Sequence, residues 1–169
     1  MTLLARLALA GALLLAACGY HTQVPQPRGT AGAGPRVNLL VQARDERKAQ
    51  VLRDYLDVAL ASTGVAPHVA GVSVRLEIVT QELAIRRDET PGRARLSATA
   101  LYVATPRVAQ GAPEPTPLRG TVYVIEGYNF VDTQFFATDS SRDAAERRLM
   151  QQAAEEIARR LMVLTAAGS

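Results

Sequence analysis

Apolar residues along this chain follow several different rhythms, and each predicts a different element. The first is an unbroken run from Leu7 to Ala17, preceded by Arg6 and followed by Cys18. Its 11 residues fall well short of the roughly 20 that a membrane-spanning helix needs, so it reads as the apolar part of a secretory signal. Residues 19–35 are rich in proline and glycine and carry no apolar period, which predicts a flexible tether. A short strand follows at Arg36–Val41. Val51, Leu52, Tyr55, Leu56, Ala59 and Leu60 then recur at three- and four-residue spacing. That spacing predicts one buried stripe on a helix capped by Asp45, running to about Thr63 and closed by Gly64, with Pro67 preventing its return.

Alternation takes over from Val72. Val74, Leu76 and Ile78 share its face, whereas Leu83 and Ile85 have the opposite parity. One strand cannot serve one core in both registers, so a bulge or sharp twist is expected near Thr80–Glu82. Residues 86–93 form the turn of a hairpin. Its return strand sets Ala94, Leu96, Ala98, Ala100 and Tyr102 against Arg93, Arg95, Ser97 and Thr99, with Leu101 and Val103 drying its far end. After a proline-rich loop at 106–117, Val122 and Val124 alternate with Thr121, Tyr123 and Ile125. Residues 127–136 are aromatic and apolar, yet too irregular for a strand or a helix. The last element is a helix with a capping box at Ser140 and Asp143. Its stripe is Ala145, Leu149, Ala153, Ile157, Leu161 and Leu164, and it ends near Ala167–Gly168. Acid-before-base pairs at i,i+4 support it: Asp143–Arg147, Glu155–Arg159 and Glu156–Arg160. The order β-α-β-β-β-α predicts an α+β two-layer sandwich, a four-stranded mostly antiparallel sheet with two helices on one face. The polar face of the central hairpin is left uncovered by anything in the chain.

Composition narrows the class. Removing residues 1–17 leaves 152 of the 169, enough for one domain over residues 36–169. The formal charge of the whole chain is only +3, which argues against nucleic acid as a partner. Lys48 is the single lysine, so the remaining cations are arginines, a bias that base composition alone can produce. Cys18 is the single cysteine, so no internal disulfide forms and a cysteine-built structural metal site is excluded. Leu13–Cys18 resembles a bacterial lipobox, which implies cleavage before Cys18 and its acylation; the alternative is a plain secretory signal that happens to contain a cysteine. Gly19, where an aspartate would signal inner-membrane retention, points by analogy to the outer membrane.

Catalytic constellations are thin. His21 and His68 lack metal-ligand or nucleophile spacing, Glu77 and Glu82 have no second motif, and no glycine-rich phosphate loop precedes a helix. A non-enzymatic protein without catalytic residues, metal or cofactor is expected. The one concentrated charge feature is Arg86, Arg87, Arg93 and Arg95 around a turn holding Asp88 and Glu89. Guanidinium forks from two strands can converge on one multiply charged anion; an ordinary solvated hairpin tip is the other reading. The aromatics Tyr128, Phe130, Phe135 and Phe136 either cap the core or form a partner interface.

Taken together, these features resemble the LPS-assembly lipoprotein LptE family in its alphaproteobacterial form. The matching segments are Cys18-Gly19-Tyr20, Leu83-Ala84-Ile85-Arg86-Arg87-Asp88, Arg93-Ala94-Arg95-Leu96, and Tyr128-Asn129 with Asp132 before an alanine- and arginine-rich helix. His21 and Thr22 depart from the family's common mature start. The resemblance implies a lipid-anchored, periplasm-facing plug of the outer-membrane barrel LptD that assists its assembly and the delivery of lipopolysaccharide. It also implies lipopolysaccharide binding through the hairpin arginines, and the lumen wall of the barrel as the cover of the open sheet face. The competing assignment is a periplasm-facing auxiliary lipoprotein of a lipid-transporting ABC system.

Overall fold

The structure, a computed structural model, describes residues 36–84, 92–111, 113–130 and 135–167. The first strand, β1 (Asn38–Ala43), leads into helix α1 (Glu46–Ser62). Asp45 starts the helix as expected: its backbone is extended and its carboxylate accepts the Arg47 backbone N–H at 2.9 Å. Thr63 ends it, donating both its backbone N–H and its hydroxyl to the Ala59 carbonyl, and Gly64 then leaves at a φ of 72°. Leu52, Leu56, Ala59 and Leu60 of the expected stripe are buried, with Val51 and Tyr55 packed half-buried beside them.

Strands β2 (Val69–Ala84), β3 (Gly92–Pro106) and β4 (Leu118–Phe130) follow, and the long helix α2 (Phe135–Ala167) closes the chain. The sheet order is β1-β2-β3-β4; β1 runs parallel to β2, and the other two pairings are antiparallel. This is the α+β sandwich expected from the residue pattern. Both helices cover the face that presents Val72, Val74 and Leu76 of β2, the even-numbered residues Ala94 to Ala104 of β3, and Val122 of β4. Ala145, Leu149, Ala153, Ile157 and Leu161 of α2 are fully buried against it. The alanines of β3 are short enough to let α2 lie close over the sheet.

Several expectations are corrected. The β2–β3 register runs unbroken from Gly71↔Thr105 to Glu82↔Ala94, and the slip falls between Glu82 and Ala84 rather than near Thr80–Glu82. No early bulge is needed because Val79 and Leu83 face away from the helices, where no core makes demands on them. Residues 127–130 are not irregular: Gly127, Tyr128, Asn129 and Phe130 pair with Arg95, Ala94, Arg93 and Gly92, so β4 continues to Phe130. A partner strand overrides the weak strand preference of Gly127 and Asn129. Helix α2 begins at Phe135, and Ser140 is no cap, since its hydroxyl donates to the Ala137 carbonyl one turn back. The buried stripe stops at Leu161, and Leu164 is exposed. Glu156 pairs with Arg160 as expected but also takes Arg159, while Glu155 accepts from Gln151. The uncovered sheet face is not uniformly polar: Leu40, Val79, Leu101, Tyr123 and Ile125 all stand exposed on it.

Candidate functional site

At the hairpin end of the sheet, the register sets Arg95 opposite Gly127 and Arg93 opposite Asn129 on the uncovered face. Gly127 offers no side chain, so the space beside Arg95 stays open. A cavity of about 540 Å³ occupies this region. Arg93, Arg95, Leu83, Ile125 and Asn129 line it from the open face, and Tyr128, Glu126, Ser141 and Arg148 from the helix side. Residues of both faces of β4 thus share one cavity around the edge of that strand. Glu126, its one acid among the described residues, is engaged by α2: Arg148 Nε lies 3.5 Å away and Gln152 Nε2 donates at 2.5 Å. Three guanidiniums against one carboxylate leave a surplus of two positive charges. With Leu83 and Ile125 in the wall, the cavity suits an anion that also carries apolar groups, and arginine forks suit phosphate oxygens.

The predicted site residues fall into four groups. Arg93 and Arg95 are exposed and line the cavity. Tyr128 is half-buried against the core while also lining the cavity; Phe130 is the last residue of β4. Phe135 and Phe136 are 75% and 88% exposed and meet edge to face, with ring centroids 6.1 Å apart. Cys18, Arg86 and Arg87 lie outside the described residues. The structure adds Arg148 and Ser141, which spacing alone could not connect with the hairpin because they lie on a helix some 50 residues further along the chain.

A second, smaller cavity of about 240 Å³ lies between α1 and α2, where Lys48, Arg142 and Glu146 form an ion cluster; its four bases and four acids balance. Away from both cavities, hydrogen bonds from Arg160 and Arg159 hold the Glu156 carboxyl below its ordinary value of 4.5, and Glu156 raises the Arg160 guanidinium in return. Arg160 also donates to the Thr121 carbonyl at 2.7 Å, which fastens α2 to β4. Among the described residues, no group of three or more His, Cys, Asp or Glu is placed to hold a metal, and no helix is long and apolar enough to cross a membrane.

No family model matches the chain, and no curated protein matches it. Among solved structures, it is similar to a provisionally named lipoprotein of Caulobacter crescentus CB15, with 24% identity and a TM-score of 0.49 over 78% of this chain and 92% of that one. A minor lipoprotein of Acinetobacter baumannii gives 17% identity and a TM-score of 0.48 over 76% and 90%. The rare lipoprotein B of Shewanella oneidensis gives 14% and 0.44 over 78% and 95%.

Proposed function

We propose that this chain is a non-catalytic, lipid-anchored outer-membrane protein of the LptE type, which seats in the LptD barrel and takes part in delivering lipopolysaccharide. The observation that carries the reading is the cavity at the end of β3 and β4, which combines a surplus of guanidinium charge with apolar wall. Lipid A presents the complementary chemistry, phosphates joined to acyl chains. The acylated Cys18 delivers the domain to the membrane, and the tether gives it reach: 18 residues from Cys18 to Pro35 span at most about 60 Å when extended. Several acyl chains on one cysteine make the attachment effectively permanent, since a single chain gives only marginal binding.

Two measurements test this. Mild-detergent copurification of the full chain is expected to recover a large β-barrel in about equal amount; recovery of an inner-membrane ATPase complex instead, or of no barrel, overturns the assignment. Arg93→Asp with Arg95→Asp is expected to weaken lipopolysaccharide binding at least tenfold while barrel copurification persists. Unchanged affinity would return these arginines to an ordinary solvated hairpin.

A further inference from the structure

The two edges of the sheet are finished differently. Beside β4 lies α2, whose Arg160 donates to the Thr121 carbonyl at 2.7 Å. Nothing corresponds at β1. Among the described residues, no backbone hydrogen bond outside the β1–β2 ladder involves residues 38–43, so alternate residues turn an unpaired N–H and C=O outward. The strand also lacks the devices that usually blunt an edge: it has no proline, no charged residue and no shift in its register with β2.

Its side chains are ordered so as to complement themselves. From Leu40, β1 meets an aliphatic residue and then an amide in either direction: Leu39 and Asn38 one way, Val41 and Gln42 the other. A second copy of the strand laid antiparallel sets Leu40 against Leu40, Leu39 against Val41, and Asn38 against Gln42. On the uncovered face, Leu40, 53% exposed in the single chain, then meets its own copy between two amide pairs. On the helix face, the aliphatic row that packs against the core is extended. Moving the axis to Leu39 or Val41 would set Leu40 against an amide instead. Arg36 and Arg44 fall just outside the strand, where their facing charges confine the pairing to five rows.

The helical layer fits the same arrangement. Two helices cover four strands, and a helix spacing of about 10 Å equals two strand spacings of about 4.8 Å, so the α1 of a second copy falls beside this one. Leu52 and Leu56 face the sheet and Lys48 reaches α2. Arg53 lies about 100° round from Leu52 on the other side, the flank above the free edge. Its Nε is buried without a hydrogen-bond partner among the described residues. From Ala43 back to Leu40 is about 10 Å of strand, and from Glu46 to Arg53 about 10 Å of helix, so Arg53 stands level with the pairing axis. Asp57 follows one turn later on the same flank.

We propose that β1 pairs antiparallel with β1 of a second copy of this chain, making an eight-stranded sheet about a two-fold axis at Leu40. Arg53 and Asp57 of each copy then meet Asp57 and Arg53 of the other. The chain's own tether is a poor substitute for that strand, since Pro25 and Pro27 remove donors and residues 29–34 are mostly glycine and alanine. The inference goes beyond the proposed function and does not rest on it.

Sedimentation of the full lipidated chain, purified on its own in mild detergent, tests the pairing. Five rows of strand and one helix flank make a small, reversible interface, so the dimer fraction should rise with concentration. Leu40→Lys alters an exposed side chain and sets two like charges on the axis; it should weaken the dimer by about tenfold or more, with circular dichroism showing the variant folded. Arg53→Met with Asp57→Asn, which leaves β1 intact, should weaken it as well. Disulfides read the register. Leu40→Cys should oxidise to a covalent dimer, because directly opposite Cα atoms stand about 4.5 or 5.5 Å apart, within disulfide reach. Asn38→Cys and Gln42→Cys should link when mixed and hardly when oxidised separately, while Val58→Cys, exposed on the opposite flank of α1, should stay single. A chain monomeric at every concentration overturns the inference, as does a dimer that survives Leu40→Lys and leaves Leu40→Cys unlinked. A photo-crosslinker at Leu40 that captures only a different protein, or only residues 19–35 of its own chain, overturns it too. None of these results bears on barrel copurification, which tests the proposed function separately.

Discussion

Lys48, the chain's single lysine, reaches from α1 to Glu146 of α2, and removing that contact should loosen the two helices measurably. Its ammonium lies 3.0 Å from both carboxylate oxygens of Glu146, and Arg142 Nε lies 3.1 Å from one of them. The Glu146 side chain is 10% exposed and that of Lys48 is 24% exposed, so water screens the pair only partly. At 3.0 Å and an effective dielectric of about 20, the gross attraction is about 5–6 kcal/mol. Desolvation of both groups and about 1.5–2 kcal/mol of lost lysine rotamer freedom remove most of that, leaving a net coupling of about 1–2 kcal/mol. The Arg142 side chain is 46% exposed and one turn away on the same helix, so its pair with Glu146 should couple by only about 0.3–0.5 kcal/mol. The assay is a double-mutant cycle in urea, with Lys48→Met keeping the apolar stem and Glu146→Gln keeping the shape. Each single change should cost about 1–2 kcal/mol, and the double change clearly less than their sum. Singles that add to within about 0.3 kcal/mol would refute the reasoning and make this contact an ordinary surface pair.

Three further outcomes follow from local geometry. In Gly120→Ala, the new Cβ would overlap the hydroxyl and ring edge of Tyr102, which is only 3% exposed, so the ring must shift; about 1–3 kcal/mol of lost stability in urea unfolding is expected, and an unchanged midpoint would contradict it. Asp45→Ala removes the cap of α1 and should cost about 1 kcal/mol, read the same way. Glu156→Gln carries a pH signature. A carboxyl held below 4.5 adds stability above that pH and loses it as pH falls through the lowered value, so the variant should be less stable than wild type at pH 7, with the gap closing as the pH falls below 4.5. A gap that persists in acid would assign the effect to packing instead.

Legibility differed between elements for physical reasons. The alternation in β3 told its two faces apart because one already meets a core and the other does not. The run from Gly127 to Phe130 was opaque because Gly127 and Asn129 weaken any local strand preference, and its hydrogen-bond partners lie some 35 residues earlier in β3. The beginning of α2 was hidden in a similar way: Ser140 and Asp143 make a good local cap, but the helix already existed upstream at Phe135. For the candidate site, Arg93 and Arg95 were visible as a charge cluster. Arg148 was not, since only the packing of α2 beside β4 brings it to the same cavity.

What the sequence by itself determined is which side of each element is apolar: the α1 stripe behind its Asp45 cap, the even face of β3, and the α2 stripe from Ala145 to Leu161. Those properties follow from the 3.6- and 2-residue periods and from nearest neighbours along the chain. Tertiary structure decided the length of β4, the first turn of α2, the union of Arg148 with the strand arginines, and the exposure of Leu101 and Tyr123. Periodicity says that two faces differ. Whether a second layer covers the other face depends on packing between distant segments, and here the described residues supply none.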